Sequence, residues 1–207
     1  MPVNRTIMYA RLLLFILCLA AAGCGSGPRI DRLTADSVIL AFGDSLTAGT
    51  GAEEGQGYPA VLAQLTGYRV VASGVPGEET PAARLRLPDV LRKEKPDLVV
   101  LCIGGNDLLR KQPDAVIREH IDAMITAIRE AGADVVLIGV PRPGLWLTAA
   151  PLYRDLARAH EVPCETEALA DILSDKDLKS DPIHPNAEGY RKLAEAVAAL
   201  IRASAVR

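Results

Sequence analysis

The sequence predicts one α/β domain, a three-layer α/β/α sandwich around a five-stranded parallel sheet, and three observations predict it. From residue 38 onward, short apolar runs alternate with longer helical patterns. Those runs are rich in Val and Ile and lack polar alternation, as suits strands buried on both faces of a parallel sheet. The chain of 207 residues is long enough for one sizeable core and short for two.

The strands are read at 38–42, 69–72, 98–103, 135–140 and 162–164. Between the first two lies a short helical segment, 59–65. A second helix, 85–93, should be interrupted at Pro88, because proline removes a backbone donor and crowds the preceding turn. The segment after Pro113 is the clearest helix. Ile117, Ile121, Met124, Ile125 and Ile128 fall on one face, Glu119, Asp122 and Arg129 lie elsewhere, and Gly132 ends it. Another helix spans 153–160. The last starts at Asn186 and carries Tyr190, Leu193, Ala194, Val197 and Ile201 on one stripe. Strands alternating with helices imply right-handed crossovers and helices on both faces of the sheet.

Ahead of this domain, Arg5 and Arg11 precede an apolar run from Leu12 to Ala22 that ends in Ala21-Ala22-Gly23-Cys24. A basic start, a short apolar stretch and small residues before a cut site describe a secretory signal over 1–23. The run is short for a membrane span, which needs about 20 apolar residues. It resembles a bacterial lipobox, in which Cys24 is acylated and becomes the mature N-terminus, although Ala21 stands where leucine is usual. Residues 24–37 then read as a flexible tether. The expected location is the cell envelope, anchored to membrane through Cys24. In a Gram-negative host that means the outer membrane, facing the periplasm, and without the anchor a periplasmic or secreted protein. Cys102 and Cys164 read as buried free thiols. A formal net charge of −3 and the lack of a long basic run exclude a nucleic-acid partner. A monomer is expected.

In a parallel α/β sheet, ligands bind beyond the carboxyl ends of the strands. Chemistry-bearing residues sit at those points. Gly43-Asp44-Ser45-Leu46 follows the first strand, where a serine at a strand-to-helix junction is exposed and has a free N–H. Gly74-Val75-Pro76-Gly77 follows the second, where Gly77 lets a backbone N–H approach a ligand closely. Gly104-Gly105-Asn106-Asp107 follows the third and presents the Asn106 amide, a donor that cannot be titrated away. Asp181-Pro182-Ile183-His184 precedes the last helix, and its prolines limit how carboxylate and imidazole can move. Each block alone has an ordinary explanation as a turn or a cap.

Together, in this order, the blocks resemble the GDSL or SGNH hydrolase family, over residues 38–207. Within it the chain is most similar to bacterial arylesterases and multifunctional acyl-CoA thioesterase/lysophospholipases. The resemblance implies a flavodoxin-like fold and a triad of Ser45 as nucleophile, His184 as base and Asp181 as its orienter. It implies an oxyanion hole formed by Ser45 and Gly77 N–H groups and the Asn106 amide. One departure is Ala72, where relatives usually carry an asparagine that braces the loop. The implied substrate is a small-molecule acyl ester, short to medium in chain length, with thioesters or lysophospholipids as further substrates. No cofactor and no metal are called for. Leu108, Leu109 and Trp146 are candidates for lining the acyl site. Two alternatives stand beside this reading: O-deacetylation of an envelope carbohydrate on the same triad, or a non-catalytic envelope lipoprotein. A nucleotide-binding domain is excluded by the absence of G-x-G-x-x-G, and an α/β-hydrolase by the absence of G-x-S-x-G.

Overall fold

Five parallel strands organise the computed structural model, which describes residues 27–206. They are β1 (Val38–Gly43), β2 (Arg69–Gly74), β3 (Leu98–Cys102), β4 (Asp134–Ile138) and β5 (Cys164–Glu165). Their order is β2-β1-β3-β4-β5, the flavodoxin-like arrangement. β3 is buried throughout, as its unbroken apolar run requires. β2 is an edge strand, which explains the exposure of Arg69.

Two short helices follow strands directly: α1 (Ser45–Ala48) after β1 and, later, α4 (Gly105–Leu109) after β3. The longer ones are α2 (Tyr58–Thr66), α3 (Thr80–Glu94), α5 (Asp114–Glu130), α6 (Pro151–His160), α7 (Ala168–Ser174) and α8 (Ala187–Ser204). Contacts of α2 and α7 with α8 form one layer, and contacts of α3 and α6 with α5 form the other. On α5 the five residues of the apolar stripe, Ile117 to Ile128, are all buried. Burial of each such side chain contributes about 1.5–3 kcal/mol.

Two expectations are corrected. Helix α3 is continuous through Pro88 rather than interrupted there. Ala83 and Leu87 before the proline, and Leu91 after it, are all buried, and that packing holds both halves on one axis despite the lost donor. The tether also ends well before residue 37. Ile30 is 1% exposed, its N–H donates to Ser204 O at 3.0 Å, and Val206 N–H donates to Ile30 O at 3.0 Å. The signal segment 1–23 and Cys24 lie outside the described residues. Cys102 and Cys164 are free thiols, and burial pushes the Cys164 thiol up to about 12.

Candidate active site

The strand order reverses between β1 and β3, so the carboxyl ends of these two strands border a crevice. Ser45 leaves β1 as the first residue of α1. Asp44 caps that helix, its Oδ1 accepting from Leu46 N–H at 3.0 Å, which orients the turn.

His184 reaches Ser45 from the other end of the chain. Its Nε2 lies 3.0 Å from Ser45 Oγ, and its Nδ1 lies 2.7 Å from Asp181 Oδ2. The other carboxylate oxygen of Asp181 accepts from the backbone N–H groups of Ile183 at 2.8 Å and His184 at 2.9 Å. A carboxylate only accepts, so it selects the tautomer with a proton on Nδ1 and leaves Nε2 free to accept from Ser45. Partial desolvation opposes the charge on Asp181, but hydrogen bonds from the His184 ring and the two backbone groups outweigh it and lower its pKa. The loop itself is pinned: Ser180 N–H donates to His184 O at 3.0 Å, and Asn186 caps α8 by accepting from Gly189 N–H at 3.0 Å.

Gly51 lets another loop press against this one. With φ +100, it stands where a Cβ would come within 2.2 Å of Ser180 Oγ and 2.5 Å of Pro185 O. Only glycine fits there. Tyr190 Oη donates to Thr50 O at 2.7 Å and holds that loop against α8.

Gly77 turns with φ +79 and borders the same cavity as Ser45, Asn106 and His184. Among the described residues, no partner engages the N–H of Ser45 or of Gly77. Asn106 Nδ2 donates to Glu78 O at 2.9 Å and lies 3.4 Å from Asp44 Oδ2. The cavity measures about 300 Å³, and Leu109, Val140, Pro141, Pro143, Leu147 and Ile183 supply much of its wall.

Two lining candidates are corrected. Leu108 is 3% exposed and belongs to the core, while Leu109, one step of about 100° around α4, is 41% exposed and lines the cavity. Trp146 is 84% exposed and does not line the cavity. It sits at the tip of a loop closed by Arg142 N–H donating to Thr148 O, and that loop's wall residues are Pro143 and Leu147 instead. On α5, His120 Nδ1 lies 3.1 Å from Thr80 Oγ1, which donates to Asp107 at 2.6 Å. Gly51 and Asp44 as a buried carboxyl were not legible as site residues in the sequence, whereas Leu109 of the wall was. The one available signal was the second glycine after Ser45.

Asp44 is 1% exposed. Burial pushes its carboxyl from 3.8 up to about 7, against the opposing bond from Leu46 N–H and the nearby His184, and with the Asp107 charge adding to the rise. The folded chain therefore holds a proton between about pH 4 and 7 that the unfolded chain has released, so this group's contribution to stability is lost as pH rises through that window. Asp44→Asn cannot ionise and keeps an oxygen for Leu46 N–H. Its melting temperature relative to wild type is expected to climb by several degrees from pH 4 to 7, at about 2–4 °C per kcal/mol. Parallel melting profiles for the two proteins would refute the raised carboxyl.

The GDSL-like Lipase/Acylhydrolase family matches residues 41–192. Esterase TesA of Pseudomonas aeruginosa is 34% identical over 130 residues, covering 60% of this chain and 65% of that protein, so the match spans just under two thirds of it. Arylesterase of Vibrio mimicus is 29% identical over 201 residues, covering 91% of this chain and 96% of that one. A crystal structure of TesA superposes with a TM-score of 0.73 at 28% identity, over 81% of this chain and 99% of that one.

Proposed function

The chain belongs to the GDSL-like lipase/acylhydrolase family, and from that premise we propose that it is a serine esterase cleaving short-to-medium acyl esters through an acyl-enzyme on Ser45. The observation that carries this reading is the continuous line from Asp181 Oδ2 through His184 to Ser45 Oγ, with spacings of 2.7 and 3.0 Å, opening on an apolar cavity.

The geometry supports a two-step acyl transfer. His184 Nε2 takes the Ser45 proton as Oγ attacks the ester carbonyl carbon. The carbonyl oxygen becomes an oxyanion, held by the Ser45 and Gly77 N–H groups and by the Asn106 amide. Collapse of the tetrahedral species expels the alcohol, which takes the proton from His184. Water then enters, gives its proton to His184 and attacks the acyl carbon. The acid leaves as Ser45 regains its proton.

The walls support an acyl chain rather than a sugar. Leu109, Pro143, Leu147 and Ile183 favour apolar contact and give few partners for hydroxyl groups. Deacetylation of a carbohydrate is correspondingly less supported. Similarity to an esterase and an arylesterase fits the same substrate class.

The proposed location remains the cell envelope, with Cys24 as the lipid anchor. The chain enters the domain at Ile30, beside Ser204. Helix α8 carries 18 residues from there back to the His184 loop, about 27 Å along its axis. An anchor at Cys24 would thus attach near the end of α8 opposite the His184 loop.

A panel of p-nitrophenyl esters from acetyl to palmitoyl tests the function on the whole chain. kcat/KM is expected to peak at short-to-medium acyl groups and to fall for long ones. Turnover of none of them refutes the esterase, and a peak at palmitoyl refutes the assigned chain length.

A further inference from the structure

Arg86 projects from α3, outside the cavity lining, yet it gathers the groups around the turn after β2. Its Nε and Nη2 donate to the Glu78 carboxylate at 2.9 and 2.7 Å. Nη1 donates to Ser73 Oγ at 2.6 Å. Nη2 also lies 3.3 Å from both Ser73 O and Gly43 O, and the guanidinium carbon sits 4.1 Å from the centre of the Phe42 ring. One side chain therefore ties together the ends of β1 and β2 and the turn that carries Gly77.

The turn needs such a tie. Gly77 adopts positive φ with nothing packed where a Cβ would be, so no side chain of its own locates it. The Ala72 methyl has no hydrogen-bonding group. Val75 N–H donates to Gly43 O and Glu78 N–H to Val75 O, which close the turn but leave its outer arm to Glu78. That residue is held at both ends. Its carboxylate takes the Arg86 fork with a side chain only 7% exposed, and its carbonyl accepts from Asn106 Nδ2 at 2.9 Å.

We propose that Arg86 is a positioning residue for the oxyanion donors: by gripping Glu78 it places the adjacent Gly77 N–H and the Asn106 amide together. The inference rests on the oxyanion role assigned to those two groups above. Donors of this kind act only when held within about 0.5 Å of the productive position. The planar fork is what a carboxylate and three flanking oxygens require, and a lysine ammonium cannot reproduce it.

Two variants test the role. Arg86→Lys keeps the charge and loses the fork. Glu78→Met with Arg86→Met replaces the half-buried pair by apolar side chains, which avoids stranding a charge and leaves the Glu78 backbone carbonyl in place. In both, kcat on a short acyl ester is expected to fall roughly 10- to 100-fold with KM within about threefold of wild type. Affinity for a trifluoromethyl ketone, whose adduct carries the oxyanion, should fall by the same factor. In an Asn106→Ala background the Arg86→Lys loss should shrink, because one of the positioned donors is already gone. A folded variant with kcat within twofold of wild type overturns the proposal, as does full additivity with Asn106→Ala. If neither variant folds, Arg86 is structural and the proposal falls. A wild-type protein inactive on every ester condemns the esterase reading instead, before any variant is compared.

Discussion

Ser45→Ala is expected to lower kcat by about 10⁴ or more, because removing the nucleophile leaves only binding and oxyanion effects. The same substitution should abolish labelling by a fluorophosphonate probe, which needs an activated hydroxyl. The fold should be indifferent to it. Ser45 Oγ has His184 Nε2 as its neighbour at 3.0 Å, while the cap of α1 belongs to Asp44 and survives. Melting temperature should therefore stay at the wild-type value. Equal labelling of both proteins would remove Ser45 from the chemistry, and a large drop in melting temperature would make it a structural residue.

Asp181→Asn is expected to cost about 10³–10⁴ in kcat through the His184 tautomer alone. The amide oxygen can still accept from Ile183 and His184 N–H, as Asp181 Oδ1 does now at 2.8 and 2.9 Å. The amide nitrogen, however, would face Nδ1 in place of the carboxylate oxygen 2.7 Å away. Two donors cannot share that contact, so the ring proton moves to Nε2, and Nε2 can no longer accept from Ser45. The side chain of Asp181 is 45% exposed, so water competes for the site and the loss is set below the fully buried limit. Asp181→Ala gives the contrast: it also deletes both loop bonds, so it should lower melting temperature where the asparagine variant does not. Turnover of Asp181→Asn within tenfold of wild type would show that Asp181 does not govern the tautomer.

Much of the fold was legible because its signals are local. The runs at 98–103 and 135–140 announce buried strands by composition alone, and the stripe from Ile117 to Ile128 announces a helix by period. Asn186 reads as a cap from its own position, and it does cap α8. The site candidates were legible for a related reason. Ser45 and Asn106 stand at strand ends, where a parallel sheet opens toward ligand, and His184 stands beside its carboxylate in a loop stiffened by prolines. The continuity of α3 through Pro88 was not, since a local rule about proline was overridden by the burial of Ala83, Leu87 and Leu91 on one face. Nor could sequence decide between Leu108 and Leu109, because both are leucines and only the placement of α4 turns one inward.

By itself, then, the sequence determined the α/β/α class, the five strands and the longer helices in outline, and the blocks that carry Ser45, Gly77, Asn106, Asp181 and His184, all of which follow from neighbours along the chain. Tertiary structure alone decided what meets across it. His184 reaches Ser45 over 139 positions, and Gly51 yields to Ser180 and Pro185. Arg86 gathers Gly43, Ser73 and Glu78, and Asp44 is sealed from water. These depend on the order β2-β1-β3-β4-β5 and on how the helices close over it, and no periodicity within a segment encodes the distance between residues that only packing brings together.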